Sequence, residues 1–80
     1  MSKEYYKKRL VDLRAEIARE REAKKRDNAN YASLIKNASN TSTKATYRKN
    51  KIDKAAAHER RIEYLKNEVE RTRDALKRCK

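Results

Sequence analysis

Residues 37–43 read NASNTST, and this stretch in the middle of the 80-residue chain decides the fold. It is the segment with the poorest helix propensity, because Asn, Ser and Thr side chains compete for backbone hydrogen bonds and favour caps and turns. The residues on both sides are rich in good helix formers, and the chain has no Gly and no Pro. The sequence therefore predicts one helical hairpin over residues 1–80, with helices at about 3–36 and about 44–78 and a turn at about 37–43. We expect Thr41, Ser42 or Thr43 to cap the second helix.

The apolar residues of both halves repeat at spacings of three and four, which is the heptad pattern of a coiled coil. We call these positions the seam. Its apolar members are Tyr6, Leu10, Leu13, Ile17, Ile62, Leu65, Val69 and Leu76. If the helices are antiparallel with Leu13 facing Val69, the other seam positions also face one another and the turn falls within the polar stretch. The sequence thus predicts an all-α fold, an antiparallel two-helix coiled-coil hairpin. The alternative is one continuous helix that pairs with another chain.

Charged residues interrupt the middle of the seam and form a predicted polar layer. Its members are Glu20, Lys24, Asp27 and His58. The register places Lys24 opposite His58, with the two carboxylates one layer to either side. Because burying unpaired ions costs several kcal/mol, we expect this level either to be open to water or to act as a polar device that fixes the register.

The apolar part of the seam is short, because its convincing layers comprise only residues 6–17 and 65–76. At ~1.5–3 kcal/mol per buried large side chain, these layers barely offset the entropy lost in ordering two long helices. We therefore expect self-association, or a helix of another protein, to complete the fold. Apolar residues off the seam offer a second contact surface, although single exposed apolar residues are normal. They are Tyr5, Val11, Ile35, Tyr47, Ile52 and Tyr64.

The net charge of +12 is unevenly distributed, because no acidic residue lies between Asp27 and Asp53. In a hairpin this stretch forms the turn end, where basic and aromatic side chains suit contacts with an anionic partner. We call these residues the basic tip. They are Lys36, Lys44, Tyr47, Arg48, Lys49 and Lys51. The alternative explanation is that Lys and Arg only solvate the helices, which fits the arms, where acids and bases interleave.

The composition argues against several classes of protein. No apolar run approaches the ~18 residues of a membrane span, and no signal peptide pattern is visible, so we expect a cytoplasmic location, with signal-independent export left open. Without Gly there is no Gly-rich phosphate loop. One His and one Cys cannot supply a metal site of four soft ligands. We expect no cofactor, no small-molecule substrate and no enzymatic activity, since no nucleophile–base pair or carboxylate pocket is apparent.

Three functions agree with these patterns. The first is a protein-interaction or assembly module that binds itself or another helical protein, with the basic tip contacting an anionic partner. The second is a small nucleic-acid-binding protein that acts through phosphates, although acidic residues along the arms would repel phosphate there. The third is a secretion-associated helical hairpin, because Tyr64 and Glu68 match the loose Tyr-x-x-x-Glu pattern of some type VII secretion substrates. The chain lacks the Trp and the turn Gly of those hairpins, so this likeness is one of size and shape.

Overall fold

The computed structural model describes residues 2–79 and consists, over that range, of two α-helices and no strands. Helix α1 spans Lys3–Asn37 and helix α2 spans Thr41–Arg78. The predicted all-helical fold with two helices is therefore confirmed. Neither helix contains a segment apolar enough to cross a membrane, among the residues that the structure describes.

The connection between the helices comprises only Ala38, Ser39 and Asn40. Ala38 and Asn40 have extended backbones, and the side-chain Oδ1 of Asn40 accepts a hydrogen bond of 2.7 Å from the N–H of Thr43. Helix α2 consequently begins at Thr41, three residues before the expected Lys44, and Asn40 takes the capping role expected of residues 41–43. The physical reason is that the extended backbone of Asn40 lets its side chain, a strong N-cap, accept from the Thr43 N–H.

The two helices lie side by side in an elongated hairpin of 62 × 14 × 12 Å. Ion pairs join early positions of α1 to late positions of α2, as between Arg9 and Glu68 at 4.0 Å and between Glu16 and Arg61 at 3.5 Å. Lys24 pairs in the same way with Glu59. The helices therefore run in opposite directions, as hairpin connectivity requires.

The buried core lies in the half of the hairpin away from the turn. Leu13 and Leu65 are the most deeply buried side chains, at 1% and 2% exposure, and pack with Ile17 and Ile62. Leu10 and Thr72 are also buried, whereas Tyr6, Val69 and Leu76 are half-buried. Thr72 satisfies its hydroxyl by donating a 2.8 Å hydrogen bond to the carbonyl oxygen of Glu68. In the turn half, by contrast, no apolar side chain within the described residues 21–59 is fully buried.

Candidate partner-binding site

The basic tip occupies the turn end, but its six residues do not form a single cluster. Lys36, Arg48 and Lys49 are exposed, while Lys44, Tyr47 and Lys51 are half-buried. Arg48 and Lys51 alone among them line a shallow groove between the helices. The turn end therefore combines exposed positive charge with one recess that two of the tip residues share.

That recess, the turn groove, is lined by apolar and basic side chains. The apolar part of its lining comprises Ile35 of α1 with Ile52 and Ala55 of α2. Ile52 is 68% exposed, so the groove presents a large aliphatic side chain to solvent. The basic part of the lining comprises Lys24, Arg48 and Lys51, and the lining contains no acidic residue.

A second groove, the arm groove, lies further from the turn. Four basic side chains line it, Arg14 and Arg21 from α1 with Lys66 and Arg73 from α2. Its floor includes the edges of Ile17 and Val69, which belong to the seam. The acidic side chains Glu63 and Glu70 also line it, and Glu70 contacts Arg73 at 3.3 Å on the same helix.

Both grooves lie along the same side of the hairpin. On α1, Arg14, Arg21 and Ile35 are separated by multiples of seven residues, and a seven-residue step returns a helix to nearly the same face. On α2, Ile52, Lys66 and Arg73 are related in the same way. The Lys24–Glu59 ion pair stands between the two grooves. We call this whole side the basic groove.

The opposite side of the hairpin is neutralised by pairs across the helices. There Arg9 contacts Glu68, and Arg61 contacts Glu16. Arg9 and Glu16, like Arg61 and Glu68, are seven residues apart and so share a face of their helix. The two long sides of the molecule therefore differ: pairs between the helices balance the charges of one side, whereas the other carries the Lys24–Glu59 pair and also a groove with an excess of basic side chains.

The polar layer contains a bridge through His58. The His58 ring lies 2.6 Å from Glu20 through Nδ1 and 2.6 Å from Asp27 through Nε2. Hydrogen bonds to Asp27 and then to Glu20 raise the pKa of His58 above its ordinary value of 6.5. The hydrogen bond from His58 is also the main cause that lowers the pKa of Asp27.

The side chain of Lys24 contacts Glu59, the residue that follows His58 on α2. The hydrogen bond and the positive charge of Lys24 lower the pKa of the Glu59 carboxyl. Three of the four residues predicted to form the polar layer, Glu20, Asp27 and His58, are thus joined in one bridge, and Lys24 pairs beside it with Glu59. Because His58 uses both ring nitrogens, its contacts are those of a structural bridge. Within residues 2–79 no cluster of His, Cys, Asp and Glu is arranged to hold a metal ion.

Reasoning from the sequence missed the arm groove. The available signal was the seven-residue spacing of Arg14 with Arg21 and of Lys66 with Arg73, at positions that flank the seam. The chain matches no family model, no curated protein and no solved structure in the three comparisons with known proteins. The arrangement of charges and apolar side chains is therefore the basis for a functional proposal.

Proposed function

We propose that the protein is a non-enzymatic interaction module, a basic coiled-coil hairpin that binds an anionic partner protein and uses the basic tip as part of the contact. The observation that carries this proposal is the difference between the two sides of the hairpin. One side pairs Arg9 and Arg61 with carboxylates of the facing helix. The basic groove instead collects seven basic side chains against three acidic ones, once the Glu59 that pairs with Lys24 is counted.

Electrostatics supports an anionic partner. Like charges that line one groove repel each other, and an acidic ligand both relieves this repulsion and is drawn toward the site. The acid-free stretch between Asp27 and Asp53 extends the positive potential around the turn end. Such complementarity favours fast association and selects against basic partners.

The test measures binding of fluorescent poly-L-glutamate by anisotropy to the full chain and to two variants of equal charge. The tip variant replaces four tip residues by Gln: Lys44, Arg48, Lys49 and Lys51. The control variant makes the same change at the end of the hairpin away from the turn: Lys3, Lys8, Lys77 and Arg78. We expect the tip variant to bind about tenfold more weakly, because four ion pairs at ~0.2–1 kcal/mol each sum to about 0.8–4 kcal/mol, a range that spans the ~1.4 kcal/mol of one decade.

Two results would overturn the proposal. Equal losses in both variants would show that net charge alone governs binding, with no role for the turn end. A mixed-sequence DNA duplex whose binding depends on the tip, while poly-L-glutamate binding does not, would favour a nucleic-acid partner. In that case the logarithm of the affinity should fall with the logarithm of salt at about 0.9 per phosphate contact.

A further inference from the structure

We propose that the basic groove binds an acidic amphipathic helix of another protein, which packs along the hairpin as a third helix. This inference rests on the proposed function and names the chemistry of its partner. The site is the continuous side of the molecule that the arm groove and the turn groove share.

The apolar side chains that line the groove supply the contacts that a docked helix requires. Ile17 and Val69 reach the arm groove, and Ile35 and Ile52 reach the turn groove. Helices bind in grooves through apolar anchors spaced at three and four residues. The turn half has the greater need of such cover, because it has no fully buried apolar side chain within residues 21–59.

The basic side chains that line the groove determine the charge that a bound helix should carry. Arg14 and Arg21 line the arm groove on α1, and Arg48 and Lys51 line the turn groove on α2. A helix with Glu and Asp beside its apolar stripe would pair with these cations. A second copy of this chain would bring another net charge of +12 against them, and like charges in contact disfavour that pairing. The phosphates of a nucleic acid would pair with the basic side chains but would leave the apolar side chains of the groove without a partner.

The length of the groove sets the length of the occupant. The lining runs from Arg14 to Ile35 on α1, which is about 30 Å at ~1.5 Å per residue. A helix of about 20 residues fills that distance. The expected ligand is therefore a peptide of that length with one apolar stripe and acidic flanks.

The experiment uses two synthetic peptides of about 20 residues and identical composition. The stripe peptide places Leu at helical three- and four-residue spacing with Glu on both flanks, and the scrambled peptide has the same residues without the stripe. We expect the stripe peptide to gain helicity on binding the full chain, which circular dichroism measures. It should also bind roughly tenfold more tightly than the scrambled peptide, because only the stripe peptide can bury the apolar side chains of the groove.

Matched variants locate the site on the hairpin. Ile52→Gln should lower the affinity for the stripe peptide roughly tenfold, as expected for one lost apolar anchor, whereas Val11→Gln should change the affinity little. Ile52 and Val11 are similarly exposed, at 68% and 64%, so neither change is expected to disturb the fold. Arg21→Gln with Lys66→Gln should weaken binding, while Lys8→Gln with Arg60→Gln, of equal charge and outside the groove, should not.

The outcomes separate this inference from the proposal on which it rests. If both peptides bind with equal affinity and only the tip variant binds them more weakly, the groove is not the binding site. The proposal of an anionic partner would remain supported in that case. If neither peptide nor poly-L-glutamate binds at low salt, both proposals fall. If the protein without peptide has the mass of two chains in solution, and the Ile52→Gln variant has the mass of one, a second copy occupies the groove. This result would overturn the inference.

Discussion

The imidazole Nε2 of His58 lies 2.6 Å from Oδ2 of Asp27 on the facing helix. The other ring nitrogen lies 2.6 Å from Oε1 of Glu20, seven residues earlier on α1. An ionised carboxylate only accepts hydrogen bonds, and a neutral imidazole has a single N–H to donate. The bridge is therefore complete only when His58 is protonated, which ties this contact between the two helices to pH.

Stability should be greatest in mildly acidic solution. Because the pKa of His58 is raised in the fold, its contribution is fully present below the ordinary value of 6.5 and is lost as the pH rises through the higher folded value. The pKa of Asp27 is lowered, so its contribution is present above 3.8 and is lost as the pH falls through the lower folded value. Thermal melts should give a higher Tm at ~pH 5.5 than at ~pH 8.5.

The control for this pH dependence is His58→Gln. Gln cannot gain a charge, so the variant should lose most of the difference in Tm between ~pH 5.5 and ~pH 8.5. An unchanged pH profile in the variant would show that other groups cause the dependence and that the bridge contributes little.

Substitutions in the core should be far more costly than substitutions in the turn half. Leu65→Ala removes a side chain that is 2% exposed, and such changes cost about 2–5 kcal/mol of unfolding free energy. Leu34→Ala alters a side chain that is 43% exposed, and we expect a cost below about 1 kcal/mol. Urea unfolding followed by circular dichroism measures both. Equal costs in unfolding free energy would contradict a core confined to the half of the hairpin away from the turn.

Amide hydrogen exchange should show the same division along the chain. Amides in residues 10–17 and 62–72 are expected to exchange most slowly, because they adjoin the buried cluster of Leu13, Ile17, Ile62 and Leu65. Amides in residues 28–52 should exchange faster, since local opening there exposes little apolar surface. Bound stripe peptide should slow exchange in this turn half. Uniform protection in the free protein would contradict the division.

The cap at Asn40 should contribute measurably to the hairpin. Asn40→Ala removes the acceptor of the Thr43 N–H and should cost about 1 kcal/mol, whereas Asn40→Gly should cost only a few tenths. Asn30→Ala is the control: Asn30 is an exposed residue inside α1, where Ala is the better helix former. An Asn40→Ala variant as stable as the natural chain would show that α2 does not depend on this cap.

The helices were predictable from the sequence because propensity and periodicity agree over most of the chain. Only the polar stretch 37–43 favours a turn, and neither Gly nor Pro competes with it. The exact start of α2 was less accessible, because Asn40, Thr41, Ser42 and Thr43 are all capable caps. The choice depends on the backbone geometry of a connection that proves to be three residues long.

The basic groove was harder to predict because it depends on which charges meet across the helices. Arg9 and Arg14 are both arginines beside the seam, yet Arg9 contacts Glu68 and Arg14 lines a groove. Composition does not distinguish them. The same holds for Lys24, which the register places opposite His58 but whose flexible side chain reaches Glu59 instead. Long side chains adjust to the nearest opposite charge, and this adjustment is visible only in three dimensions.

Replacing the polar layer by apolar residues should raise stability and loosen specificity. In the variant Lys24→Leu with His58→Leu, two leucines extend the core toward the turn from Ile17 and Ile62. Glu20 and Asp27 lose their shared partner, but their side chains are 26% and 34% exposed, so water can replace the imidazole. Buried ionic contacts are often matched or exceeded in stability by apolar ones, while polar positions in a seam hold the register and the number of chains. We expect a higher Tm, little difference in Tm between ~pH 5.5 and ~pH 8.5, and a broader distribution of masses in solution.

Lys25→Leu, on an exposed position beside the layer, is the control and should not raise Tm. A double variant with a lower Tm than the natural chain would show that the charged bridge stabilises this level more than apolar packing does, or that the two substituted positions do not face each other.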